Sequence, residues 1–189
     1  MAFAVVNYPT FSKDDFDWIQ SVRRQHDRLY YDVVDPHVTL VFPTDDICEL
    51  TLIHHVRQHA EAFPAFEVVF RCAILGDPSF QEHAHAFLVP DEGFSNVVRL
   101  HDRLYTGPLE KELRLDLPFV PHVGIANTPT PAACKVIIDN LNAQAFEIRA
   151  RVETLHVIGY DGKRVWKIEQ LDLADAPHEE ASSRRAAQP

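Results

Sequence analysis

The chain has 189 residues, 46% of them apolar and 24% charged, with a net charge of −10. That length suits one sizeable domain or two small packed lobes, and no apolar run approaches the roughly 18–20 residues of a membrane span. The acidic balance argues against gripping long duplex nucleic acid, which demands a basic stripe, and favours a small phosphorylated ligand or an RNA end.

From Ala2 to Tyr8 the chain is apolar and reads as a central strand, without the basic lead of a signal peptide. Ser12 can cap a helix with Phe16, Ile19, Val22, His26 and Leu29 at helical spacing. After Pro36, residues His37 to Phe42 form a strand; a second helix starts near Thr44-Asp45-Asp46, with Ile47, Leu50, Ile53, Val56, Ala60 and Phe63 on one side. Phe66 to Leu75 is a long strand, Gly76-Asp77-Pro78 a turn, and His83 to Val89 the returning partner. A third helix carries Phe94, Val97, Val98, His101, Leu104 and Tyr105, and Gly107-Pro108 closes it. A polar loop leads through Arg114 to Pro118 into a strand from Phe119. Pro131 opens a fourth helix with Val136, Ile137 and Leu141 as its apolar face. Phe146 to Tyr160 reads as one long strand region, Asp161-Gly162 as a hairpin turn, and Val165 to Leu173 as the return. The end, 174–189, is rich in Ala, Ser and charge, and reads as a disordered tail after a single bilobed domain, 1–173.

Two near-copies of one phrase stand out in this layout. Asp35-Pro36-His37-Val38-Thr39-Leu40-Val41-Phe42 is echoed by Phe119-Val120-Pro121-His122-Val123-Gly124-Ile125-Ala126, whose histidine comes 85 positions later (122 minus 37). Strand alternation puts Thr39 on the face of His37 and sends Val38, Leu40 and Phe42 into the core; Gly124 likewise shares the face of His122. Strands joined by hairpins, mixed with helices and repeated over two half-chains, predict an α+β fold: two pseudo-symmetric lobes with largely antiparallel sheets flanking a central cleft, and helices outside. In such a cleft His37 and His122 meet.

With both motifs in view, the chain resembles the two-histidine phosphoesterase superfamily, which includes the 2′-5′ RNA ligase-like proteins and cyclic nucleotide phosphodiesterases. The hallmark is a pair of His-x-Thr/Ser motifs in apolar strands. Pro36-His37-Val38-Thr39-Leu40 matches fully; in the second copy Gly124 stands where Thr or Ser is expected. The stretch Val152 to Tyr160 followed by Trp166 to Leu173 resembles the family's final hairpin. The resemblance covers roughly Met1 to Leu173. It implies a bilobed fold and a metal-independent, cofactor-free phosphodiesterase. Its substrate would be a small nucleotide or an RNA terminus, at a 2′,3′-cyclic phosphate or a 2′-5′ linkage. A catalytically degenerate nucleotide- or RNA-end-binding module of the same fold is the alternative.

The chemistry fits those residues. Histidine titrates near 6.5, so one imidazole can be neutral and take a proton from water while the other, protonated, gives one to the leaving ribose oxygen. Thr39 would donate to a nonbridging phosphate oxygen, and Gly124, lacking a Cβ, would let the phosphate approach the backbone. The remaining histidines read as ordinary: His83 and His85 on a solvated strand face, His54, His55 and His59 on an exposed helix face, His101 as a hydrogen-bonded packing residue. His156 is a possible lining of the cleft. Tyr8, Phe42, Phe119 and Tyr160 are candidate base-stacking aromatics that read first as core. Arg23, Arg28, Arg114 and Arg151 are candidate phosphate anchors that read first as surface. Cys48, Cys72 and Cys134 lack metal-ligand spacing and read as reduced thiols of a cytoplasmic protein, and a monomer with no membrane partner is expected.

Overall fold

The computed structural model describes residues 1–76 and 82–175. Most of the predicted Gly76-Asp77-Pro78 turn and residues 176–189 of the predicted tail lie outside the described residues. The elements are β1 (Ala2–Asn7), β2 (Thr10–Phe11), α1 (Lys13–His26), β3 (Val38–Thr44), α2 (Glu49–Glu61), β4 (Phe66–Leu75), β5 (Ala84–Glu92), α3 (Phe94–Leu104), a 3-10 turn (Gly107–Glu112), β6 (Val123–Thr128), α4 (Pro131–Asn142), β7 (Ile148–Val152), β8 (Thr154–Tyr160) and β9 (Val165–Asp172).

The strands form two antiparallel sheets, one in the order β3-β1-β8-β9 and the other β2-β7-β4-β5-β6. Helices α2 and α3 pack on the first sheet, α1 and α4 on the second, as the α+β reading anticipates. The opening strand β1 is central, as its apolar run predicts. Each motif histidine lies immediately before an edge strand, His37 before β3 and His122 before β6.

Local chemistry explains several boundaries. Ser12 caps α1 by accepting the Asp15 N–H, and Thr130 caps α4 by accepting the Ala133 N–H ahead of Pro131. Gly162 turns the last hairpin at φ +92°, while Asp161 accepts the Lys163 and Arg164 N–H groups. Ala174, expected in the tail, instead bridges to Pro64.

Other expectations need correction. The region 146–160 is two strands in different sheets, since β7 pairs with β2 and β4 while β8 pairs with β1 and β9. Helix α2 begins at Glu49, because β3 runs on to Thr44 and the Asp46 N–H turns onto the Thr44 hydroxyl. Its buried face is Leu52, His55, Val56 and Ala60, and Leu50 is 76% exposed. In α4 the buried side chains are Cys134 and Ile138, while Val136 is 59% exposed. Alternation also breaks in β3: irregular pairing with β1 buries both Leu40 and Val41 and leaves Phe42 half-buried.

Candidate active site

The two motif histidines are held alike. His37 Nδ1 lies 2.8 Å from the carbonyl of Asp35, and His122 Nδ1 lies 2.6 Å from that of Val120. A carbonyl oxygen only accepts, so each Nδ1 carries the proton and donates it. The tautomer is thereby fixed, and Nε2 of neither ring has a hydrogen-bond partner among the described residues. Both rings are half-buried, set among protein atoms with part of their surface still open to solvent.

The electrostatics bring the rings into one neighbourhood. Burial lowers the His122 pKa to about 4; the Val120 carbonyl opposes this, and the His37 and His85 imidazoles push it further down. Burial is also the main cause that lowers His37, where the Asp35 carbonyl opposes it, Arg23 adds to it, and the Asp27 and Asp35 carboxylates pull upward. His37, 85 positions earlier in the chain (122 minus 37), is thus among the groups that depress the His122 pKa.

The residues beyond each ring differ. Thr39 pairs with Val6 across the strands, is half-buried, and its hydroxyl makes no hydrogen bond among the described residues. Tyr8 lies tilted 6.0 Å from His37 and edge-on 4.9 Å from His156, so His156 does reach the margin of the site. Gly124 is half-buried and pairs with Phe87; a Cβ there would meet nothing within 4 Å. Phe87 stacks on His122, with ring centroids 3.7 Å apart and planes 22° apart. The Phe87 ring also fills the space beside Gly76, where an added Cβ would collide with it. Phe87 escaped the sequence reading, although its alternation with His85 on one strand was a usable signal.

A buried ion pair supports both halves. Arg23 Nε donates to Asp27 Oδ2 at 3.0 Å, with both side chains almost wholly buried, and Arg23 also donates to the carbonyls of Tyr30 and Val34. Asp27 Oδ1 accepts the Tyr30 N–H and the side-chain amide of Asn127 in β6. Arg23 thus folds the connection leading to His37 and is not a surface phosphate anchor, a correction to the ordinary surface reading. Arg114 is paired with Asp116, and Arg151 with Glu67 and Glu153.

Two histidine expectations also change. His85 is buried, covered by Tyr30 and Phe87, instead of lying on a solvated face. His55 is buried because Nε2 donates to the Leu104 carbonyl at 2.8 Å. His101 is the packing residue predicted, bonded to Asp102 and stacked 3.6 Å from Phe119, which is half-buried just upstream of the second motif. Among the described residues no group of three or more His, Cys, Asp or Glu side chains is arranged to hold a metal. No helix among them is long and apolar enough to cross a membrane.

Comparison with known proteins decides the family. Residues 11–164 match the 2′-5′ RNA ligase superfamily. The chain belongs to that superfamily. Among solved structures, apo LigT of Escherichia coli is similar with a TM-score of 0.63 at 13% identity, covering 92% of this chain and 98% of LigT. LigT complexed with 3′-AMP gives a TM-score of 0.58 at 12% identity, over 91% and 97% of the two chains. Usb1 of Kluyveromyces marxianus gives 0.52 at 13% identity, over 91% and 98%. These likenesses carry the fold. No curated protein matches the sequence.

Proposed function

We propose that this superfamily member is a metal-independent phosphodiesterase acting on small nucleotides or RNA ends, at a 2′,3′-cyclic phosphate or a 2′-5′ linkage. The observation that carries the reading is the shared carbonyl latch. Both Nδ1 atoms are tied to the carbonyl two residues upstream, each Nε2 has no hydrogen-bond partner among the described residues, and the His37 imidazole is among the groups that lower the His122 pKa. LigT, of the same fold, has been crystallised with 3′-AMP and with NADP+, ligands of the chemical class proposed here.

In the reaction one neutral imidazole takes a proton from water at Nε2, and the water oxygen forms a bond to phosphorus. The other imidazole, protonated, gives its Nε2 proton to the ribose oxygen as the ring phosphoester bond breaks. Burial holds both rings neutral in the empty site, and the negative charge of a bound phosphodiester favours protonation of one of them. Thr39 donates to a nonbridging oxygen, and Gly124 leaves room for the phosphate beside the strand. The proposed site is complete within one chain, so we take the monomer as the working form. The free thiols at Cys48, Cys72 and Cys134 fit a reducing cytoplasm.

Turnover of 2′,3′-cyclic nucleotides by wild type, His37→Ala and His122→Ala tests this. Each substitution is expected to cost roughly 10²–10⁴-fold. Equal activity in all three defeats the reading, and nucleotide binding without turnover identifies a binding module instead. Because kcat/KM reports the free enzyme, its pH optimum is expected below about 6.5, with an acid limb near 4.

A further inference from the structure

The second motif lacks the hydroxyl that Thr39 provides in the first, and the space where a side chain at Gly124 would begin is empty. A neighbouring imidazole has the complementary defect. His85 is 9% exposed, and its Nε2 is buried without a hydrogen-bond partner among the described residues. A native polar atom left in this state calls for an explanation. His55 and His101, also buried, have partners in the Leu104 carbonyl and the Asp102 carboxylate. His156 Nδ1 shares the deficit, but that ring already bonds Thr154 and belongs to the sheet whose motif keeps its hydroxyl.

Placement favours His85. It alternates with Phe87 on the face of β5 opposite the core residues Ala84, Ala86 and Leu88. Phe87 pairs directly with Gly124 and stacks on His122; His85, two residues earlier on the same strand, pairs with Asn127 across a register shift. We infer that His85 is a third imidazole of the site, donating to the substrate phosphate the hydrogen bond that the second motif no longer supplies. This rests on the phosphodiester reading above and names a binding residue for it. In the empty site Nε2 is shut off from solvent, so a small side-chain rotation accompanies binding. The rings of Tyr30 and Phe87 flank His85, at 6.2 and 6.0 Å between centroids. Burial lowers the His85 pKa against the pull of Asp27, which leaves a neutral ring able to donate at neutral pH.

The test is a double-mutant cycle between positions 85 and 124, read as 2′,3′-cyclic nucleotide turnover and as 3′-AMP binding by calorimetry. His85→Leu is expected to lower kcat/KM about 10²-fold, the cost typical of a lost oxyanion donor, and His85→Gln, which keeps a donor, to recover much of it. Gly124→Ser is expected to raise turnover at least about tenfold more in the His85→Leu background than in wild type. Unfolding midpoints confirm that each variant folds, and if His85→Leu fails to fold, His85→Gln and His85→Asn carry the cycle. Equal gains from Gly124→Ser in both backgrounds, or unchanged turnover in His85→Leu, overturn the inference and leave the phosphodiesterase reading standing. Binding of 3′-AMP that depends on His85 without any turnover supports the inference and removes the enzyme reading. Absence of both turnover and binding in wild type removes both.

Discussion

The two motif histidines make the same hydrogen bond to the chain two residues upstream, yet their surroundings are built from different materials. His37 stands in a polar half: carboxylates of Asp27 and Asp35 act on it, the Thr39 hydroxyl, unpaired among the described residues, follows two residues on, and its aromatic neighbour Tyr8 is loosely tilted at 6.0 Å. His122 stands in an apolar half: Phe87 stacks tightly at 3.7 Å, the position of the hydroxyl is a glycine, and the nearby charges that act on it are imidazoles. What the two motifs share is the Nδ1 hydrogen bond to the carbonyl two residues upstream. What has diverged is how each ring is supported and how easily it holds a proton, which suits a pair that must be in opposite protonation states.

The tie shared by both halves is the place to break them together. Asp27 holds Arg23, the turn toward His37, and Asn127 of the second-motif strand. Asp27→Ala leaves a buried guanidinium without its counter-charge, and the loss of stability in urea denaturation is expected to be about 3–5 kcal/mol. A change below about 1 kcal/mol would mean that the pair is peripheral to the fold. The next effect erases the contrast in polarity: Thr39→Ala leaves neither motif with a hydroxyl and is expected to cost roughly 10²–10³-fold in kcat, measured on a 2′,3′-cyclic nucleotide.

A smaller effect tests the apolar half. Phe87→Leu removes the stack on His122, worth about 1 kcal/mol for such ring pairs, so a fall in kcat of roughly fivefold is expected. The sign of the accompanying pH change follows from burial. Shielding from water disfavours the charged ring and sets the pKa at about 4, so reopening the ring to water raises it, and the acid limb of kcat/KM moves to higher pH. Gly76→Ala, whose added Cβ would collide with the Phe87 ring, should shift that limb too. If imidazole titration by NMR shows His122 unmoved in both variants, the stack does not control its basicity.

Much of this arrangement is written in the sequence, and the exceptions have physical causes. The Pro-His-Val copies flag two rings that the structure holds by the same hydrogen bond, His37 to the Asp35 carbonyl and His122 to that of Val120. The strand Phe66–Leu75 is bounded as its composition and flanking turn residues indicate. The division of 146–160 between two sheets is invisible locally, since strand patterning marks burial and not pairing partners. The burial of His85 depends on Tyr30, distant in sequence, and on Phe87, whose ring has two places to lean. Arg23 and Asp27 look like any exposed i, i+4 pair on a helix; only tertiary contacts with Val34 and Asn127 bury them. The buried faces of α2 and α4 depart from the apolar pattern for a related reason: Leu50 and Val136 are as apolar as their buried neighbours, and only packing distinguishes them.

The looseness of Tyr8 gives the smallest expected effect and the sharpest contrast with Phe87. Its ring stands 6.0 Å from His37 at 58°, too far and too steep for the close stacking that covers His122. Its phenol has no hydrogen bond among the described residues, and burial raises its pKa ahead of Asp35, so it stays neutral through the working pH range. Tyr8→Phe preserves the ring and its edge contact with His156 and is expected to change kcat less than about twofold, an effect at the lower end of aromatic pair energies. The His37 titration followed by NMR should move little, because that ring owes its lowered pKa first to burial and then to Arg23, neither of which the substitution alters. A loss of tenfold or more would place the Tyr8 hydroxyl on the substrate, and the polar half would then hold a second donor beside Thr39.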